Sequence, residues 1–263
     1  MRFSEGLAAG YFVLMAVAAW VRPLPASRRA QATIVGVVMS AAIWRLPVAV
    51  SPAARDWAPA IEILVGYWVS GRFFVGSSTA FEGWLMGWDR RLLGDPATRF
   101  ATWPRLLLAY LEVVYLGCFL LIPAGFAALV WAGRGAMADH YWTMVIAAEF
   151  GAFAPLALIQ TRPPWALERP SAQRERAIHQ LASGLVSTFT IRANTFPSGH
   201  VAGSLAVAMA VGLAMPWAGA IFLAFAASIS VACVVGRYHY TVDVIAGAAL
   251  ALAIWGLVLA AGL

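Results

Sequence analysis

Apolar residues occur along this chain in long, nearly unbroken stretches, divided by short segments where Arg, Pro and Trp collect. A stretch of about 20 apolar residues is what a helix needs to cross the hydrocarbon core of a bilayer. Such stretches lie near 6–21, 31–50, 105–131, 140–161, 197–215, 217–235 and 241–262. Residues 57–76 form a further candidate that Glu62 and Arg72 interrupt, so this segment either crosses the membrane or rests at its surface. From 77 to 104 the pattern changes: Phe81, Trp84, Leu85, Trp88 and Leu92 recur at helical spacing, with Glu82, Asp89, Arg90 and Arg91 between them. That is the pattern of an amphipathic helix in the headgroup layer, serving either as a rim that guides headgroups or as a connector lying on the bilayer. The pattern predicts an all-α, polytopic transmembrane helix bundle of seven to eight spans. It forms a single membrane domain over 1–263: N-terminal helices over 1–56, the ambiguous span and amphipathic helix over 57–104, and core helices over 105–263.

Composition agrees with a membrane protein. The chain is 62% hydrophobic and 11% charged, with a mean hydropathy of +0.78, whereas soluble domains are about 45–50% apolar and about 25% charged. The first apolar stretch is expected to stay as a helix, since Arg2 alone makes a weak basic region and no small-residue cleavage site follows Trp20. Net charge is +6, and every cationic residue is arginine. These arginines fall between spans, as topology and anionic lipid require, and no nucleic-acid-binding motif accompanies them, so nucleic acid is excluded as a partner. Cys118 and Cys233 both lie within apolar stretches and provide no disulfide framework.

Candidate chemistry sits where polar side chains interrupt the ends of these stretches, because a titratable group near hydrocarbon is costly and marks function by default. Pro197-Ser198-Gly199-His200 opens one stretch, and Arg237-Tyr238-His239-Tyr240-Thr241-Val242-Asp243 opens another. Arg162 and Arg169 flank Pro163-Pro164-Trp165 after a third. One span out from His200, a turn at Pro216 and one span back return the chain to His239 on the face it left. No stretch within 162–196 is long enough to cross, so Arg162 and Arg169 stay on that face too. Attack on a phosphoester needs a nucleophile, charge neutralisation on the equatorial oxygens and a proton for the leaving oxygen. His239 is expected to be the nucleophile, oriented by Asp243 four residues on along a helix face. His200 is the general acid. Arg162, Arg169, Arg237, the Ser198 hydroxyl and the Ser198 and Gly199 amides would cradle the phosphate. The bland alternatives are a helix-surface His/Asp hydrogen bond and an ordinary turn at Pro197. Arginines beside the histidines repel cations and no further ligand stands at suitable spacing, so neither a metal nor another cofactor is expected.

These three segments resemble the signature of the type 2 phosphatidic acid phosphatase (PAP2) superfamily, which reads K-x6-RP, PSGH and SR-x5-H-x3-D. The first appears here as Arg162-x6-Arg169-Pro170, the second is complete, and the third keeps His239 and Asp243. Cys233 stands where the third motif has arginine, and Arg237 could replace it only if the helix breaks between 235 and 239, which Gly236 permits. The resemblance implies a phosphohistidine intermediate on a lipid phosphate substrate, resolved by water in a phosphatase or by an alcohol in a lipid phosphotransferase. His-Tyr-Thr-Val-Asp is also similar to the motif of sphingomyelin and inositol phosphorylceramide synthases. A non-catalytic lipid-binding or transport protein that kept the fold is the remote alternative. Superfamily enzymes usually act outside the cytoplasm, which would suit a cytoplasmic Arg22–Arg29 turn if 57–76 lay in the interface; if 57–76 crosses, that turn shares the site's face.

Overall fold

A computed structural model describes residues 1–167, 191 and 193–262. Among these residues there are ten α-helices and no strand. In chain order they are α1 (Phe3–Val21), α2 (Ala26–Ala49), α3 (Pro52–Ser70), α4 (Thr79–Leu93), α5 (Pro96–Ala101), α6 (Arg105–Trp131), α7 (Ala138–Phe153), α8 (Gly199–Ala214), α9 (Pro216–Val235) and α10 (Thr241–Ala260).

Five of these, α1, α2, α6, α9 and α10, are long and apolar enough to cross a membrane, against the seven to eight expected. Each shortfall has a local cause. The stretch 140–161 forms a helix only to Phe153, because Pro155 withholds the amide that would continue the ladder and the chain tightens into a 3-10 turn over Ala154–Ala157. The stretch 197–215 loses its first residues to the Ser198 N-cap, leaving α8 with 16 residues. In the ambiguous region α3 is a continuous helix of 19 residues, with Arg55, Asp56 and Glu62 among its side chains. The amphipathic segment 77–104 is two helices. Gly94 at φ 78° ends α4, and Asp95 then caps α5 through the Thr98 amide.

The short helices form the centre of the bundle. α7 buries Tyr141, Trp142, Met144, Val145 and Ile146 completely or almost so, and packs against α8, α1, α3 and α10. α8 presents Gly199, Ala202, Gly203 and Ala206, small residues that let neighbouring backbones approach. At the far end of the α8–α9 hairpin, a Cβ on Gly219 would fall on the backbone of Gly212.

The other end of the bundle is organised by Gln160. Its side-chain oxygen accepts from the amides of Val75 (3.0 Å) and Gly76 (3.1 Å), and its carbonyl accepts from Ser78 (2.9 Å). Arg28 donates to the Phe74 carbonyl, and Arg72 donates to Gln31 at 3.3 Å. The Arg22–Arg29 turn therefore lies at the same end as residues 71–78 and Gln160. An interfacial 57–76, with that turn and the site on opposite faces, is replaced by a helix that joins the two ends of the bundle.

Candidate active site

Two helix N-termini meet at the Gln160 end. Ser198 caps α8, its hydroxyl accepting from the Val201 amide at 3.5 Å, which places Gly199 and His200 in the first turn. α9 stops at Val235, and the chain turns sharply through Arg237, whose φ of 59° is left-handed and strained for a residue with a side chain. The Cys233 carbonyl accepts from the amides of both Tyr238 and His239 at 3.0 Å, tightening that turn. α10 then starts at Thr241, and Asp243 in its first turn accepts from the Tyr240 amide at 3.1 Å. The Ser198 amide donates to the Asp243 carbonyl at 3.1 Å and ties the two N-termini together.

This geometry corrects the expected helical relation between His239 and Asp243. His239 precedes α10 rather than riding on it, and the pair is made by the capping turn. His239 Nδ1 lies 3.4 Å from Asp243 Oδ2, an ion-pair distance longer than a good hydrogen bond. The same oxygen accepts from Asn194 Nδ2 at 2.7 Å, and that amide group also donates to Thr161 Oγ1 at 3.0 Å. The rings of His200 and His239 are 5.6 Å apart and nearly perpendicular. Tyr115 on α6 places its hydroxyl 3.2 Å from His200 Nε2 and stacks on Tyr238 at 3.8 Å. Both histidines line one cavity of about 40 Å³ with Asn194, Thr195, Gly199 and Trp165. On its other side His200 borders an apolar cavity of about 110 Å³, where Glu149 lies with Cys118 and Ser204. The Glu149 carboxyl fills the space that a side chain at Gly203 would need, and the Phe153 ring with Glu149 closes in on Gly199.

A family model described as the PAP2 superfamily matches residues 83–257, two helix N-termini and both histidines included. The chain belongs to the PAP2 superfamily. Members of this superfamily are generally phosphatases, and membership supports phosphatase-type activity here. No curated protein and no solved structure matches the chain.

Of the residues that resemble PAP2 motifs, the structure brings Ser198, Gly199, His200, His239 and Asp243 together and holds the cations from a different element. Arg162 is bound to Glu82 of α4 three ways: its amide (2.8 Å) and Nε (3.0 Å) donate to Oε1, and Nη2 donates to Oε2 (2.8 Å). Burial pulls the Glu82 carboxyl up, yet the Arg162 hydrogen bonds outweigh it and hold the group below the usual carboxylate range. Arg237 Nη2 lies 2.8 Å from Asp89 Oδ2, also on α4, and Asp89 Oδ1 accepts from the Thr241 amide at 2.8 Å. The break that Arg237 needed is present. Its guanidinium nevertheless goes to Asp89 and lines a separate groove with Asp95 and Leu167, outside the cavity that the histidines share. Arg169 lies outside the described residues.

Sequence reasoning missed Tyr115, Asn194, Glu82 and Asp89. For the acids a signal existed: seven residues apart on a helix is two turns on one face. For Tyr115, far from the motifs along the chain, there was none, and for Asn194, three residues before Pro197, no spacing records its contact with Asp243.

Proposed function

We propose that this protein is a metal-independent lipid phosphate phosphatase working through a phosphohistidine. The observation that carries this is the pair His200 and His239, with ring centroids 5.6 Å apart on one cavity and Asp243 beside His239. His239 turns Nδ1 to Asp243, which leaves Nε2 as the nucleophile. Nε2 attacks phosphorus, the P–O bond to the lipid breaks, and the leaving oxygen takes a proton from His200. Water then attacks the phosphohistidine, gives a proton back to His200 and releases phosphate. Ser198, Gly199, Arg162 and Arg169 bind the phosphate oxygens, with the amides at the α8 N-terminus contributing fixed partial charge, while Arg237, paired with Asp89 outside this cavity, is left out of the cradle. A lipid anchor on the substrate fits a site at one end of an apolar bundle. In this reading α3, α7 and α8 bring the five long spans to eight crossings, and the site opens on the extracytoplasmic face.

The test is phosphoenzyme trapping with radiolabelled lipid phosphate. Wild-type protein should yield acid-labile, base-stable label, and His239→Ala, folded by thermal unfolding in detergent, should yield neither label nor turnover. Turnover by His239→Ala would overturn the mechanism. Release of inorganic phosphate, rather than transfer of label to a second lipid, separates hydrolysis from phosphotransfer.

A further inference from the structure

α4 turns its carboxylates inward and leaves Arg90 and Arg91 exposed. Glu82, Leu85 and Asp89 form its buried face, while Trp84, Trp88 and Leu92 are exposed. The two carboxylates are 3% and 2% exposed, and a buried carboxylate is costly unless it is paired and hydrogen-bonded. The partners of both come from the segments that lead into the site rather than from α4 itself. Glu82 takes the Nε and Nη2 edge of the Arg162 fork together with the Arg162 amide, fixing backbone and side chain at once. The Nη1 end makes no hydrogen bond among the described residues, and the side chain is 41% exposed. A guanidinium carries five donors, so a carboxylate bound side-on leaves the end-on pair, Nη1 and Nη2, for a second anion. Asp89 does the corresponding work on the other segment: one oxygen faces Arg237 and the other holds the first amide of α10, bracketing the turn that carries His239.

Resting on the phosphatase reading, we propose that Glu82 and Asp89 are positioning residues of this site. Glu82 holds Arg162 so that the end of its fork meets the phosphate, and Asp89 fixes the Arg237–Thr241 turn so that His239 is aimed at phosphorus. α4 is then part of the active site's frame as well as a helix at the membrane surface.

The experiment is a double-mutant cycle on vanadate binding, read by calorimetry on the full chain in detergent. Glu82→Gln and Arg162→Ala should each weaken vanadate about tenfold, and the double variant should bind no more weakly than Arg162→Ala alone, because Glu82 acts only through Arg162. Additive losses would overturn the proposal. If Arg162→Ala loses affinity while Glu82→Gln binds like wild type, the positioning role falls and the phosphate cradle stands. If Arg162→Ala itself binds like wild type, the cradle fails and the proposal with it. Should Glu82→Gln unfold, Glu82→Asp, which keeps the charge on a shorter arm, takes its place in the cycle. For the second acid, Asp89→Asn keeps an acceptor for the Thr241 amide and removes the charge facing Arg237. Slower phosphoenzyme formation at saturating substrate with KM unchanged is expected; an unchanged rate would overturn its part.

Discussion

Asp243 makes four contacts, three through the single side-chain oxygen Oδ2 and one through its carbonyl. It caps its own helix through Tyr240, receives the Asn194 amide and faces His239, while its carbonyl takes the Ser198 amide. Asn194 is thus a buried side chain that, with the Tyr240 amide, fixes where the carboxylate points. Asn194→Ala should cost about 1–3 kcal/mol of stability, the usual penalty for leaving a buried polar partner unsatisfied, and should lower kcat more than it raises KM. Denaturant unfolding in detergent and steady-state kinetics check the two parts. The histidines and Asp243 were legible in the sequence because each belongs to a short local segment whose spacing carries its meaning. Asn194 was not: it reaches Asp243 across 49 residues of chain, and no local spacing records such a contact.

At the scale of elements, apolar stretches located the helices, but their ends were set by chemistry that length alone does not register, such as Pro155 after α7 and the Ser198 cap on α8. α4 shows the limit most clearly. Its helical spacing was readable, whereas the direction of its polar face was not, since a charged face meets water in one context and buried arginines in another. The hairpin of α8 and α9 depends on a contact with no polar component at all. Gly219→Ala places a methyl on the Gly212 backbone, and overpacking of this kind should destabilise the protein by about 1–3 kcal/mol. Thermal unfolding of the variant against Gly256→Ala, where a Cβ meets nothing, isolates the steric cost.

For the whole molecule, the class was legible from hydropathy, while the lengths of the helices and the placement of the Arg22–Arg29 turn required coordinates. That turn and the histidines occupy one end of the bundle, so the position of one fixes the position of the other. An extracytoplasmic site predicts that a membrane-impermeant maleimide labels Gly76→Cys in intact cells and leaves Ala136→Cys unlabelled until the membrane is opened; the reverse pattern puts the site inside. The native thiols, Cys118 and Cys233, are buried and should stay silent. The close approach of Gly212 and Gly219 has a further effect on this scale. α8 runs from His200 at one end to Gly212 at the other, twelve residues or about 18 Å of helix, and His239 rides on the far end of α9. Under the proposed mechanism, the hairpin would act as a pair of tongs hinged at the glycines, with the histidines at its tips. Opening the hinge by about 5° moves the tips by roughly 1.5 Å over that length, a misplacement large enough to cost about a hundredfold in rate. In the proposed mechanism, the reach of His239 toward His200 would therefore depend on two residues without side chains at the opposite end of the bundle.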